Sequence, residues 1–501
     1  MQKKFFSIKC RSLRYFLFIK YFLNMKKNEI LENVKVEKLV FGGTGLATAE
    51  DGRKILISGG VIPEAIVDIR ILKIKKNHIE AQVVRTVKKS PFEREIPENW
   101  QLYGGCKWLP IPYEKQLEIK ENQIKEAFFH IQDRVKNATF HPIIASVETE
   151  HYRNKVEFSW GKYISARENI HDEYRFGFHF PGAFDRIENC RYCVLADDEV
   201  NEIFREVDAI ARNSDFPTYD AKTQIGFWRH LVIRKAKYTN EIMLIFSVNG
   251  IFDQTRNEKN ILINVFFANI AQQLSEKFPN IVSIFVLENT GKADIVAGDA
   301  KHIFGKLSIT EKLFDFSFEI QPKSFFQVNT FTAEKLYQCA IDFLTAKNDS
   351  NAKDGILLDL YAGTGTIGML LSRYFREVYS VELVTSASQD GEKNAFRNGV
   401  KNMHFINQKV EDFAQDFSRK NLSAHSIVVD PPRDGLHSSA IENILNFSAN
   451  EIIYVSCNPA TLVRDLELMT ATEKYEITDI RAVDMFPHTH HIETVVRLMK
   501  K

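Results

Sequence analysis

Leu357-Leu358-Asp359-Leu360-Tyr361-Ala362-Gly363-Thr364-Gly365-Thr366-Ile367-Gly368 reads as an apolar strand that ends in a glycine turn and opens a helix. Glycines in such a turn let a ligand approach the backbone closely. Taken literally, Gly363-x-Gly365-x-x-Gly368 fits a dinucleotide fingerprint. Asp359, however, places an acid at the strand end, ahead of the glycines. A carboxylate there repels a pyrophosphate and can grip the amino group of a methionine-like ligand. Glu382 closes the next strand, 19 residues after Gly363, where an acid takes ribose hydroxyls. The pattern favours S-adenosylmethionine over NAD.

On either side of this stretch, from about Gln321, strand-like and helix-like segments alternate. They are Ile356–Leu360, Gly368–Tyr374, Glu377–Val381, Gln389–Arg397, Ser426–Val429 and Ile452–Val455. This predicts an α/β, doubly wound, Rossmann-like domain over 321–501. Two later strand ends carry chemistry. Val428-Val429-Asp430-Pro431-Pro432-Arg433-x-Gly435 delivers Asp430 to the ligand edge, and the prolines lock the turns that follow. Ile452-Ile453-Tyr454-Val455-Ser456-Cys457-Asn458-Pro459 places Cys457 in the loop after a buried strand. An isolated cysteine is most often a small core hydrophobe, but here a helix N-terminus and Arg464 could both favour a thiolate. Asp484-Met485-Phe486-Pro487-His488-Thr489-His490-His491-Ile492-Glu493 looks metal-like. Its histidines lack a thiolate or matched acid, so no metal site is expected. Glu493, opening a strand-like run, is the better candidate, as a base at the sheet edge.

The 501 residues, 44% hydrophobic and 26% charged, suit about three soluble domains. Apolar runs fall short of a membrane span. The six cysteines are scattered, which suits a reducing, cytoplasmic setting rather than a disulfide framework. The net charge is +1, so any basic surface must be local. Residues 1–24 form a basic, aromatic tail, read as transit-like or as a wrongly assigned start. Residues 25–92 predict a small β-barrel of about five short strands. Residues 93–320 predict a mainly β central domain, entered through a helix at 112–135. There, Tyr152-Arg153-Asn154-Lys155 and Arg229-His230-Leu231 set cations beside aromatic or amide groups, which fits RNA contact or a solvated edge equally.

Together these stretches resemble the RNA uracil-C5 methyltransferase family. That family carries Phe-x-Gln-x-Asn before the cofactor domain, here Phe325-Phe326-Gln327-Val328-Asn329. It also carries the glycine loop, the Asp-Pro-Pro-Arg-x-Gly turn, the Ser-Cys-Asn-Pro loop and the final Pro-His-Thr-x-His-x-Glu, in this order. The N-terminal barrel resembles the TRAM domain of the ribosomal RNA members. The resemblance implies that Gln327, Tyr361, Glu382 and Asp430 contact S-adenosylmethionine, that Cys457 is the nucleophile and that Glu493 is the base. It also implies that the 112–135 helix packs on the catalytic domain. Many ribosomal members hold an iron–sulfur cluster through four cysteines. Here Cys106 and Cys190 match two positions and Tyr103 replaces a third, so the cluster is expected to be absent.

The implied reaction forms 5-methyluridine. Cys457 adds to C6 of uracil, C5 takes the methyl group, and Glu493 removes the C5 proton. The base must leave its stack to be reached. Ribosomal (23S) RNA is the expected substrate and transfer RNA the alternative, with no obligate protein partner. The competing classes are an NAD-dependent oxidoreductase, opposed by Asp359 and the Cys457 loop, and a non-catalytic RNA-binding protein, opposed by the set Cys457, Asp430 and Glu493.

Overall fold

The computed structural model describes residues 25–96, 105–165, 170–180, 183, 185–250, 257–293, 295–345 and 353–501. The basic tail, Tyr103 and Cys10 lie outside them. The chain forms two compact units. Among the described residues, one holds 25–96 with Cys106–Gln123 and His488–His490. The other holds most of the rest, within Ile124–Pro487 and His491–Lys501.

In the first unit six strands form one sheet. Its order is Ile30–Lys35, Ile66–Ile74, His78–Lys88, Lys54–Ser58, Thr44–Thr48 and Lys38–Val40. Alternation drives it: in Lys54–Ser58 only Ile55 and Ile57 are buried, which is the period of a half-buried strand. They join Val36, Val67, Ile69, Ile79, Trp108 and Ile111 in one core. The helix Tyr113–Phe128 is shared between the units. Its first turns, through Gln123, belong here, and Gln123 Nε2 donates to the Leu39 carbonyl at 2.9 Å. Only the later part, with the turn Phe129–Arg134, lies with the catalytic residues, where Arg134 Nη1 donates to the Thr470 carbonyl at 3.3 Å.

The second unit contains two larger sheets. The seven-stranded one runs Ile187–Asn189, Ile170–His179, Lys155–Ser165, Trp228–Lys235, Ile242–Val248, Ile281–Glu288, Asp299–Gly305. Its single parallel pair, Ile242–Val248 with Ile281–Glu288, is joined by the crossover helix Asn257–Lys277, as parallel pairing requires. Neither cationic stretch of this sheet is a solvated edge. Arg229 is fully buried; its guanidinium lies 4.1 Å from the Tyr219 ring centre and donates to the carbonyls of Asn289, Gly291 and Ala293.

The eight-stranded sheet runs Met403–Ile406, Glu377–Val381, Ile356–Leu360, Ser426–Val429, Glu451–Ser456, Glu493–Lys500, Tyr475–Val483, Thr139–Ile144. The first five are parallel, and Glu493–Lys500 is antiparallel to both of its neighbours. Thr139–Ile144 therefore belongs to the catalytic sheet, although sequence placed it with the central domain. After Ile356–Leu360 the chain turns first to one side, at Glu377, and later to the other, at Ser426. That reversal opens a crevice at the carboxyl ends of the strands, where ligands of such sheets bind. Among the described residues no helix is long and apolar enough to cross a membrane.

Candidate active site

A cavity of about 530 Å³ occupies this crevice. The strand Ile356–Leu360 ends on it with Asp359, followed by Tyr361 and Gly363 in the left-handed region at φ +60° and +57°. That conformation is uncommon for a tyrosine and marks backbone strain at the edge of the cavity. Asp359 does more than face a ligand. Its Oδ2 accepts hydrogen bonds from the Gly368 amide and the Ser380 hydroxyl, both at 3.0 Å. It thus braces the helix that the glycines open. Glu382 accepts from the Gly363 amide at 2.9 Å and the Val384 amide at 2.7 Å. It stands at the turn and is not among the residues lining the cavity.

Gln327, Tyr361, Asp430, Cys457 and Glu493 all line the same cavity. Cys457 and Glu493 arrive there by register. Ser456 pairs with Thr494 across the antiparallel strands. The next residues outward, Cys457 just past its strand and Glu493 as the first residue of its own, therefore lie side by side at one end of the sheet. Gln327 is placed by its neighbours: Asn329 donates to Ser146 Oγ and to the Met485 carbonyl, both at 3.0 Å.

The two loops carrying Asp430 and Cys457 are tied together. Asn458 Nδ2 and Thr461 Oγ1 donate to the Arg433 carbonyl at 3.0 and 3.2 Å. Asp465, 0% exposed, accepts from the Leu436 amide and the Tyr454 hydroxyl, both at 2.7 Å, and from Arg464 Nε at 2.8 Å. Arg464 also donates to the carbonyls of Asp434 and Leu436. Its fork is spent on this clamp and does not serve the thiol, contrary to the expectation from sequence. The cation that acts on Cys457 is Arg433, which lines the cavity.

Gly435 closes the clamp at φ +73°. A Cβ there would meet Asp465 Oδ2 at 2.5 Å and Arg464 Nη2 at 2.7 Å. Gly435→Ala is expected to destabilise the protein by roughly 2–4 kcal/mol, from the left-handed backbone and the crowding of the buried Asp465 carboxylate and its Arg464 partner. A thermal denaturation midpoint equal to wild type would contradict this.

The electrostatics are those of a crowded acidic site. Burial pushes the Asp359 and Asp430 carboxyls up to about 7 each, and each has a carboxylate neighbour that adds to the shift. Glu493, 5% exposed, is held well above the carboxylate range by burial and then by Asp430, with Arg433 opposing. Burial, Glu493 and Asp430 push the Cys457 thiol up to about 11. With that value only about 0.1% of the thiol is ionised at pH 8. Alkylation of Cys457 by iodoacetamide should therefore rise about tenfold per pH unit between about pH 7 and 10. A rate already flat at pH 8 would mean a thiolate stabilised in the free enzyme.

Four of the lining residues to which sequence reasoning gave no role stand out. Arg433 and Arg153 stood inside quoted motifs without a role. Phe325, 68% exposed, is the outermost residue of the Gln327 segment. Tyr337 carries no motif signal. It lies on the helix Thr330–Thr345, its hydroxyl bonded by Gln327 and facing Asp430, Glu493 and Asp359. His488 is structural: its amide donates to Gln116 Oε1 at 2.8 Å, its carbonyl accepts from the Trp108 amide at 2.9 Å, and burial pushes its imidazole down to about 3. Cys190 and Cys193 are buried, and burial raises both thiols. Among the described residues no group of three or more His, Cys, Asp or Glu side chains is placed to hold a metal ion.

Residues 263–501 match the family described as tRNA (Uracil-5-)-methyltransferase. A protein of Bacteroides thetaiotaomicron, named as an uncharacterized RNA methyltransferase, is 34% identical over 91% of this chain and 98% of its own. One of Clostridium acetobutylicum with the same description is 34% identical over 95% of this chain and 99% of its own. The fold is similar to that of Pyrococcus abyssi tRNA (uracil-54, C5)-methyltransferase, solved with S-adenosyl-L-homocysteine. The TM-score is 0.70 and the identity 24%, covering 93% of this chain and 99% of that one. The chain belongs to the RNA uracil-C5 methyltransferase family.

Proposed function

We propose that the protein forms 5-methyluridine in RNA from S-adenosylmethionine, with Cys457 as nucleophile and Glu493 as base. The observation that carries this reading is the common cavity. The Cys457 thiol and the Glu493 carboxyl leave one end of the sheet into the same space as Asp359, Asp430, Gln327 and the glycine turn. Burial raises three carboxyl groups there, and Asp359 adds to the shift of Asp430 as Asp430 does to that of Glu493. Such a site gains by taking up positive charge, which suits a sulfonium and an ammonium better than a dinucleotide. Gln327, Tyr361 and Asp430 would hold S-adenosylmethionine, with Glu382 at the turn for the ribose.

C5 of uracil is a weak nucleophile. Addition of the Cys457 thiolate to C6 makes C5 enolate-like, so covalent catalysis supplies the missing reactivity. S-adenosylmethionine supplies the methyl group, from its sulfonium. Glu493 then takes the C5 proton, the C5–C6 double bond re-forms and the thiolate leaves. Arg433 opposes the carboxylates and so favours ionised Cys457. The uridine must be unstacked to enter, as in a loop or a flipped base.

Ribosomal RNA is the substrate we favour, on the resemblance of the N-terminal sheet to the TRAM module of the ribosomal members. Transfer RNA is the second reading, on the name of the Pyrococcus abyssi enzyme and of the family. Nucleoside mass spectrometry after incubation with unmodified large-subunit ribosomal RNA and with transfer RNA, in separate tubes, tests both. 5-Methyluridine in the ribosomal tube alone is the expected result. The same product in the transfer RNA tube alone would replace that substrate, and none in either would overturn the methylation reading.

A further inference from the structure

One wall of the cavity is the segment Phe325–Val328. Its far end is fastened by a directed string of hydrogen bonds. Asn154 Nδ2 donates to the Gln327 carbonyl and to Thr330 Oγ1, both at 2.9 Å, and the Asn154 amide donates to the Val328 carbonyl at 2.8 Å. Thr330 Oγ1 in turn donates to Glu311 Oε2 at 2.9 Å. Glu311 is 0% exposed and accepts three backbone amides as well: Lys237 at 2.7 Å, Tyr238 at 3.1 Å and Lys312 at 2.9 Å.

Both amide hydrogens of Asn154 are spent, so the Thr330 hydroxyl accepts one of them and gives its own proton to Glu311. Burial raises the Glu311 carboxyl, while the three amides and the Thr330 hydroxyl that donate to it favour the acceptor-only carboxylate. Hydrogen bonds ending on a buried charge are the stronger kind, and chains of them reinforce one another. The string joins the Asn154 segment, the 236–240 turn and the Ile309–Ile320 hairpin to one point behind Gln327. No member of it lines the cavity.

We propose that Glu311, acting through Thr330 and Asn154, is a positioning residue that fixes the Phe325–Val328 wall for binding of S-adenosylmethionine. This rests on the assignment of Gln327 to that ligand. Thr330→Val removes the hydroxyl while nearly keeping its shape; Thr330→Ser keeps the hydroxyl. Three quantities are measured on the full chain: affinity for S-adenosylmethionine by calorimetry, the rate of Cys457 alkylation, and kcat and KM with RNA. Thr330→Val should weaken S-adenosylmethionine about tenfold, the size of one lost buried hydrogen bond. Its kcat at saturating ligand should stay within about twofold, its Cys457 alkylation unchanged. Thr330→Ser should bind as wild type does, and Glu311→Gln should follow Thr330→Val.

Affinity in Thr330→Val within twofold of wild type overturns the inference. So does a Thr330→Ser variant as weak as Thr330→Val. A parallel fall in affinity, alkylation and thermal midpoint also overturns it, because that is a structural role only. Wild-type enzyme that binds S-adenosylmethionine but makes no 5-methyluridine would sink the methylation reading alone and leave the affinity comparison in force.

Discussion

Cys457→Ala is expected to lose methyl transfer by roughly 10⁴-fold or more, the scale on which removing a covalent nucleophile acts, while still binding S-adenosylmethionine. The reason is chemical. Without addition at C6 there is no enolate at C5, and no other group lining the cavity is a nucleophile of comparable strength. The side chain is only partly buried, so its loss costs little packing. Cys457→Ser should be as inactive, because a hydroxyl ionises far less readily than a thiol. Calorimetry with S-adenosylmethionine and mass spectrometry of the RNA product, on the same preparation, separate a lost nucleophile from a lost fold. Retention of more than a few per cent of turnover would sink the covalent mechanism.

The raised thiol gives this prediction a second edge. The free enzyme holds Cys457 mostly protonated, because burial and then Glu493 and Asp430 oppose its charge. Neutralising either carboxyl should speed alkylation. Asp430→Asn is the variant of choice, since it leaves the base in place. A lower alkylation rate in that variant would mean that Asp430 activates the thiol instead of restraining it.

The catalytic half of the fold was legible because its signals are local. Ile356–Leu360, Ser426–Val429 and Glu451–Ser456 are buried at every position, and such strands read as largely continuous apolar runs. Cys457, Asp430 and the glycine turn each follow such a run, so their place at a strand end could be read directly. What escaped was set by pairing between distant segments. Thr139–Ile144 carries Pro142, which argues against a strand, yet an edge position tolerates a missing amide. Asp479 Oδ1 lies 2.8 Å from His141 Nε2 across that edge, and Arg481 Nε donates to the Pro142 carbonyl at 3.2 Å. Tyr475–Val483 mixes buried and half-buried residues, so it lacks a continuous apolar run. Arg464 was misread for a related reason. Its proximity to Cys457 in sequence is real, but the helix turns it onto Asp465 and the Gly435 turn. Tyr337 was invisible because a buried tyrosine on a helix looks like core until its hydroxyl is found among three carboxyls.

Glu493→Gln should trap the enzyme on its RNA. Glutamine keeps the shape of the side chain and its capacity to hydrogen-bond, so the strand Glu493–Lys500 and the cavity should persist. It cannot accept the C5 proton. Without that removal the C5–C6 double bond cannot re-form, and the thiolate cannot leave. The substitution also deletes the carboxylate that most opposes ionisation of Cys457 after burial. Addition should therefore be easier at the same time that elimination is blocked, and both effects fill the covalent state. We expect most of the RNA-bound enzyme to migrate as a slower band in denaturing gels, against a few per cent for wild type, and the band to vanish in the double variant with Cys457→Ala. The pH dependence in wild type follows from the sign of the Glu493 shift. Its carboxyl ionises only well above the usual carboxylate range, so the base form grows as pH rises and release should quicken. Lowering the pH should therefore slow release in wild type, while adduct formed by Glu493→Gln should show no such pH dependence of its release. A variant that binds both ligands, alkylates at least as fast as wild type and still shows no slower band would assign the proton to another group, with Asp430 as the next carboxyl in the cavity.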